Sequence, residues 1–148
     1  MLKLNDTSEQ SILNMLVEHK SISPQQLKQI ETLSNEGGKT KLETSFELNI
    51  TSPDKILTVL ADSYSLPKVE LKKIVITDKI KQLAALRYLR ENIIVPFEFT
   101  SEVIKVAIPD SSKLGLIKNI KNITQLEPEL YASSLTEIDN FYKRLENR

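Results

Sequence analysis

Cysteine is absent from the 148 residues. That excludes a disulfide scaffold and a thiolate metal site, and it fits a reducing cytosol. Glycine is nearly absent too, Gly37, Gly38 and Gly115 being the whole complement. A phosphate-cradling loop or a dinucleotide fingerprint needs glycines at fixed offsets, and neither pattern occurs. His19 is the single histidine, so a tetrahedral zinc site would have to be nearly all carboxylate. No Ser or Cys nucleophile motif accompanies His19, which reads as a surface residue near a helix end rather than a general base. Net charge is missing as well, since 20 Lys and Arg balance 20 Asp and Glu. Phosphate-backbone binding needs a concentrated basic face. The nearest approach, Lys68, Lys72, Lys73, Lys79 and Lys81, is interrupted by Glu70 and Asp78 and reads as solvated surface. No apolar run approaches the roughly 18–20 residues that cross a bilayer, and the first residues lack the apolar core of a signal peptide. A cytoplasmic protein that neither inserts into a membrane nor binds nucleic acid is expected.

What the chain does have is a pair of matching helix starts. One is Ile22-Ser23-Pro24-Gln25-Gln26-Leu27 and the other Ile50-Thr51-Ser52-Pro53-Asp54-Lys55-Ile56, with prolines at positions 24 and 53, a spacing of 29. In each, serine is the cap and proline occupies the first helical position, where its missing N–H costs nothing. Gln26 completes a capping box with Ser23, and Ile22 and Leu27 have the spacing of a hydrophobic staple. A unit this small cannot bury its apolar face alone, so tandem copies imply that they pack on each other. Four short helices follow from the pattern. The first starts at Thr7 or Ser8, with Thr7 and Gln10 in capping-box spacing, and carries Ile12, Met15 and Leu16. The second carries Leu27, Ile30 and Leu33 and stops at Gly37-Gly38. The third covers Lys41 to Glu47. The fourth carries Ile56, Val59, Leu60 and Tyr64 and stops at Leu66-Pro67, after which Val69-Glu70-Leu71 reads as a short extended exit.

From Thr77 the pattern changes. Thr77 caps one helix bearing Ile80, Leu83, Ala84, Leu86 and Leu89. Residues 93–99 and 103–108 read as a hairpin, with Pro96 marking an edge position or a bulge. A turn at Pro109-Asp110-Ser111-Ser112 leads into a helix with Leu114, Ile117, Ile120 and Ile123. Residues 126–132 form a third strand, and Ser134 with Glu137 opens a last helix on Leu135, Ile138, Phe141, Tyr142 and Leu145. The fold class is α+β: a helical tandem repeat over 1–71, a linker over 72–76, and a small α-β-β-α-β-α unit with a three-stranded sheet over 77–148. Acidic residues form no catalytic motif. Glu127 and Glu129 share a strand face, which is weak support for paired-carboxylate chemistry. No catalytic residue, metal or resident cofactor is expected, and what remains is surface used for binding. The candidate partner-binding residues are Ile12, Leu16, Ile22, Leu27, Ile56 and Leu60, since a two-repeat unit with little core can leave an apolar groove.

These parts in this order resemble the amino-terminal region of the type II secretion and type IV pilus assembly ATPases. Ile22 to Leu27 matches the family's Leu-Ile-Ser/Thr-x-x-x-Leu repeat. Leu60-Ala61-Asp62-Ser63-Tyr64-Ser65-Leu66-Pro67-Lys68-Val69-Glu70-Leu71 matches the ending of the second. Ile94-Val95-Pro96-Phe97, Ile104-Lys105-Val106-Ala107-Ile108 and Pro109-Asp110 resemble its second subdomain, with the Asp-Pro turn inverted. The resemblance implies a non-catalytic interaction module that docks on the cytoplasmic domain of an inner-membrane platform protein, near the membrane only through that partner. It would work with an ATPase core in cis or in trans, because the catalytic core and its phosphate-binding loop are absent here. Members of the family that bind cyclic di-GMP carry Arg-Leu-Gly at the start of each repeat and a glutamine near its end. The matching positions here are Ser11-Ile12-Leu13 with Ser34, and Thr40-Lys41-Leu42 with Ser63. A cyclic di-GMP receptor is therefore the alternative, discounted because the arginines and glycines are missing.

Overall fold

Ser23, Thr40, Ser52, Thr77 and Ser134 each stand before a helix, and the side-chain oxygen of each accepts from the amide three residues on. The computed structural model describes residues 6–146, with side chains from residue 9. The helical half contains α1 (Asp6–Glu18), α2 (Pro24–Gly37), α3 (Lys41–Glu47) and α4 (Pro53–Ser63). At α2 the Ser23 Oγ accepts from the Gln26 amide at 3.1 Å and the Gln26 Oε1 accepts from the Ser23 amide at 2.9 Å. At α4 the Ser52 Oγ accepts from the Lys55 amide at 3.2 Å. Gly38 takes the left-handed conformation, φ 67°, and its N–H closes on the Ser34 carbonyl. The side chain of Thr7 lies outside the described residues. That of Gln10 is engaged elsewhere, donating to Asn14 Oδ1 at 2.8 Å and accepting from Lys41 Nζ at 3.0 Å.

The duplication extends beyond the caps. Lys20 and Asn49, each four residues before its proline, both adopt left-handed backbone, φ 61° and 57°. The amide that follows each reaches back in the same way, Ser21 to the Leu16 carbonyl at 2.8 Å and Ile50 to the Ser45 carbonyl at 3.0 Å. The same turn is therefore built twice from different side chains.

The sheet half holds α5 (Asp78–Ala84), α6 (Arg87–Glu91), β1 (Val95–Phe99), β2 (Val103–Ile108), α7 (Ile117–Thr124), β3 (Glu127–Ala132) and α8 (Leu135–Glu146). Strand order is β1-β2-β3, the first pair antiparallel and the second parallel. The register slips between Pro96 and Glu98, so the proline marks a bulge. Three expectations are corrected. The helix from Thr77 breaks in two, because Leu86 turns extended at φ −61°, ψ 124° with neither proline nor glycine to announce it. The first strand begins at Val95 rather than Ile93, since Ile93 is left-handed at φ 58°. A buried β-branched residue there stores strain of order 1–3 kcal/mol. The exit from α4 is not merely extended: Leu71–Lys73 forms a 3-10 turn.

Alternation along the strands sorts the core into two layers. Ile104, Val106 and Ile108 of β2 face a cluster that takes in Ile12, Leu13, Met15, Leu16, Ile30 and Leu60 of the helical half. Val95, Phe97 and Ala107 face the other way, onto Leu71, Ile76 and Ile80 and the Ile138, Phe141 and Tyr142 stripe of α8. The sheet is thus sandwiched, with α1–α4 on one side and α8 on the other. At the rims, α5 packs along β1, and Pro67–Val69 pairs with the end of β3. Pro128, which has no N–H to offer, lies within that outer strand.

Tyr142 ties α8 to the sheet. Its hydroxyl donates to the Ile94 carbonyl at 2.8 Å, and burial holds the phenol well above its ordinary value, Arg90 opposing the shift only weakly. The unfolded chain releases that proton near pH 10 while the folded chain keeps it, so stability is intact below pH 10 and falls as pH rises beyond it. Tyr142→Phe should flatten the alkaline arm of a melting-temperature profile taken from pH 8 to 11. The same variant should cost about 1–3 kcal/mol at neutral pH, because the buried Ile94 carbonyl loses its donor. A profile equally steep in both proteins would refute this role.

Candidate interaction surface

Of the six residues read from the sequence as partner-binding, five are core. Ile12, Leu16 and Leu60 are fully buried, and Ile22 and Ile56 are at most 3% exposed. The stripes that looked available for a groove are closed by the sheet half, which supplies the facing apolar layer. Only Leu27 remains half exposed. Of the six, Leu27 alone keeps substantial exposed surface, and Ile22 shows only an edge in the wall of the recess at the turn from α1 to α2.

The surface that is open lies on α2. Ile30 and Ser34 are its buried positions, and the rest of the helix faces solvent in whole or part. Leu33 is 37% exposed, as is Leu48 at the end of α3. Beside Leu27, the turn from α1 to α2 frames a recess of about 540 Å³ lined by Val17, Lys20, Ile22, Ser23, Pro24 and Gln26. His19 sits next to it, its Nε2 3.1 Å from the Tyr64 hydroxyl and its ring edge-on to the tyrosine. That contact ties the first repeat to the end of the second.

The positions that correspond to a dinucleotide-binding motif are used otherwise. Ile12, Leu13 and Leu42 are core. Ser34 donates to the Lys39 carbonyl at 2.6 Å. A second polar set lies at the carboxyl ends of β2 and β3. Asp110 is fully buried and caps the following 3-10 turn, one oxygen accepting from the Ser112 amide at 2.8 Å and from the Ser112 hydroxyl. Its other oxygen has no hydrogen-bond partner. Glu127 is held by Lys121 at 2.9 Å and so is not poised beside Glu129 as one of a catalytic pair. Among the described residues no group of three or more His, Asp and Glu side chains gathers as a metal site, and no helix is long and apolar enough to cross a membrane.

Two apolar grooves escaped the sequence reading. One, of about 300 Å³, runs between Leu83, Leu86, Phe99 and Leu126, with Lys79 at its edge. The other, of about 330 Å³, lies between β1 and the segment from Lys73 to Thr77, where Val75 is 78% exposed. Neither has a periodic signal, because their walls come from elements distant in sequence. The left-handed pair Lys20 and Asn49 could have been found, since both stand at the same offset before the repeated prolines.

Comparison with known proteins places this architecture. The family model for the MshEN domain matches residues 64–148. A solved structure of MshE with cdg is 19% identical over 90% of this chain and 97% of that one, with a TM-score of 0.62. A structure of the amino-terminal domain of XpsE is 20% identical over 97% of this chain and 98% of that one, also at 0.62. A second crystal form of it gives 0.54 at 20% identity, over 97% and 99%. No curated protein sequence matches. The matched region is not the catalytic ATPase core. The chain belongs to the MshEN domain family, the amino-terminal domain of type II secretion and type IV pilus assembly ATPases.

Proposed function

We propose that this domain is a non-enzymatic docking module, which seats a secretion or pilus motor on the cytoplasmic domain of an inner-membrane platform protein. The observation that carries the proposal is the outer face of α2. Among the described residues only Ile30 and Ser34 of this helix are buried, Leu27 and Leu33 border that buried line on either side, and the recess at Lys20–Gln26 adjoins its start. A helix fixed at both ends, by Ser23 and by Gly38, with part-exposed leucines at the margins of a polar outer face, suits recognition by a partner helix. In this reading the helical unit over 1–71 meets the platform, the unit over 77–148 supports it, and residues 72–76 join the two. The ATPase core acts in cis or in trans, and any approach to the membrane is through the partner. Titration calorimetry against the purified cytoplasmic domain of the platform protein tests this. Leu33→Asp, at an exposed position of α2, should weaken binding at least tenfold while the melting temperature stays within a few degrees. Unchanged affinity would remove α2 from the interface.

One observation favours a second reading, a cyclic di-GMP receptor. The recess at the first turn combines Lys20, the only cation in its lining, with the positive end of the α2 dipole, although Pro24 has no N–H and the Ser23 and Gln26 amides are taken by the capping box. MshE, whose fold this chain shares, has been solved with cdg. Against it stands the loss of arginine and glycine at both repeat starts. Calorimetry with cyclic di-GMP decides the matter, micromolar or tighter binding favouring the receptor.

A further inference from the structure

The connector between α4 and α5, residues 64–77, is fastened at two separate points. Its first part joins the sheet: the Ala132 amide donates to the Pro67 carbonyl at 2.8 Å, and the Val69 amide to the Ala132 carbonyl at 3.1 Å. Its second part is held by one side chain from the last turn of α8. The Arg144 guanidinium donates through Nη1 to the Leu71 carbonyl at 3.1 Å and through Nη2 to the Ile74 carbonyl at 2.6 Å. The same guanidinium lies over the Phe141 ring, 5.6 Å from its centroid. Between and beyond these carbonyls, Lys72, Lys73 and Val75 face solvent, while Leu71 and Ile76 are buried anchors on either side.

We propose that Arg144 is a latch. It closes the segment 71–76 against α8, and the segment has an open state reached when the last turn of α8 moves away. A planar fork with donors on both arms spans two carbonyls at once, which a lysine ammonium, a compact point charge, does not reproduce. The two carbonyls bracket a 3-10 turn, Leu71 opening it and Ile74 following it, and the Ile74 amide already bonds to the Leu71 carbonyl at 3.0 Å. Removing the guanidinium therefore takes away the side-chain tie between this segment and α8, leaving the short turn and the buried anchors Leu71 and Ile76. The latch also sets the shape of the groove beside β1, because Lys73, Ile74, Val75 and Thr77 are one of its walls. Release at the carboxyl end of α8 therefore changes the wall of that groove.

Native-state proteolysis of the full chain reads the open state directly. Trypsin cuts after Lys72 or Lys73 only when the segment opens. Arg144→Met keeps the apolar stem over Phe141 and should raise cleavage at these two sites at least tenfold, with Arg144→Lys in between. Arg90→Met is the control, since it breaks the 2.7 Å pair with Glu146 at the same end of α8 without touching the connector. Unchanged cleavage in Arg144→Met, or an equal rise in Arg90→Met, overturns the latch. Hydrogen exchange on the unmodified chain supplies a test independent of any variant. The amides of Lys73 and Ile74 should exchange together with the last turn of α8, and at least tenfold faster than those of β2. Exchange of all three at the rate of β2 would mean that only global unfolding opens the segment.

Discussion

Phe141→Ala is expected to lower the free energy of unfolding by about 3–5 kcal/mol, the range for emptying a phenylalanine site in a packed core. The ring is 1% exposed, on the stripe of α8 that meets Leu71, Val95, Phe97 and Ala107. The loss also removes the surface on which the Arg144 guanidinium rests. Urea unfolding followed by circular dichroism measures the change. A cost below about 1 kcal/mol would mean that α8 is not seated on the sheet as described.

Leu60→Ala should cost about 2–5 kcal/mol, and its second signature is more telling than its size. Leu60 lies on α4, yet its cluster runs through Ile12 and Leu16 into Ile104, Val106 and Ile108 of β2. A core common to both halves makes them unfold as one cooperative unit. Hydrogen exchange should therefore show the most protected amides of α4 and of β2 losing protection by the same factor. If α4 loses protection while β2 keeps it, the two halves fold separately and the shared cluster does not couple them.

Local chemistry was legible wherever the sequence itself supplies both partners. Ser23 and Gln26 satisfy each other across three residues, Ser52, Thr77 and Ser134 each accept from the amide three residues on, and Gly38 ends α2. Periodicity likewise placed the strands and the stripe of α8. What could not be read was decided by elements far apart in the chain. The break at Leu86 follows no glycine or proline; it bends the chain around the rim of β1, where Leu83, Leu86 and Phe99 line one groove. The stripes of Ile12, Leu16 and Leu60 looked unpartnered because their cover is β2, more than 40 residues away. An apolar face with no local partner therefore told of burial and not of docking. Family membership was readable as an ensemble of weak motifs, while the open face of α2 was recognisable only once the buried face was known.

The flanks of the sheet carry one more consequence. With α5 laid along β1 and Pro128 interrupting β3, neither outer strand offers an unbroken ladder of amides to a second molecule. Strand-by-strand growth from copy to copy has no place to start. Contacts between copies of this domain are then expected to run through helices rather than by strand addition.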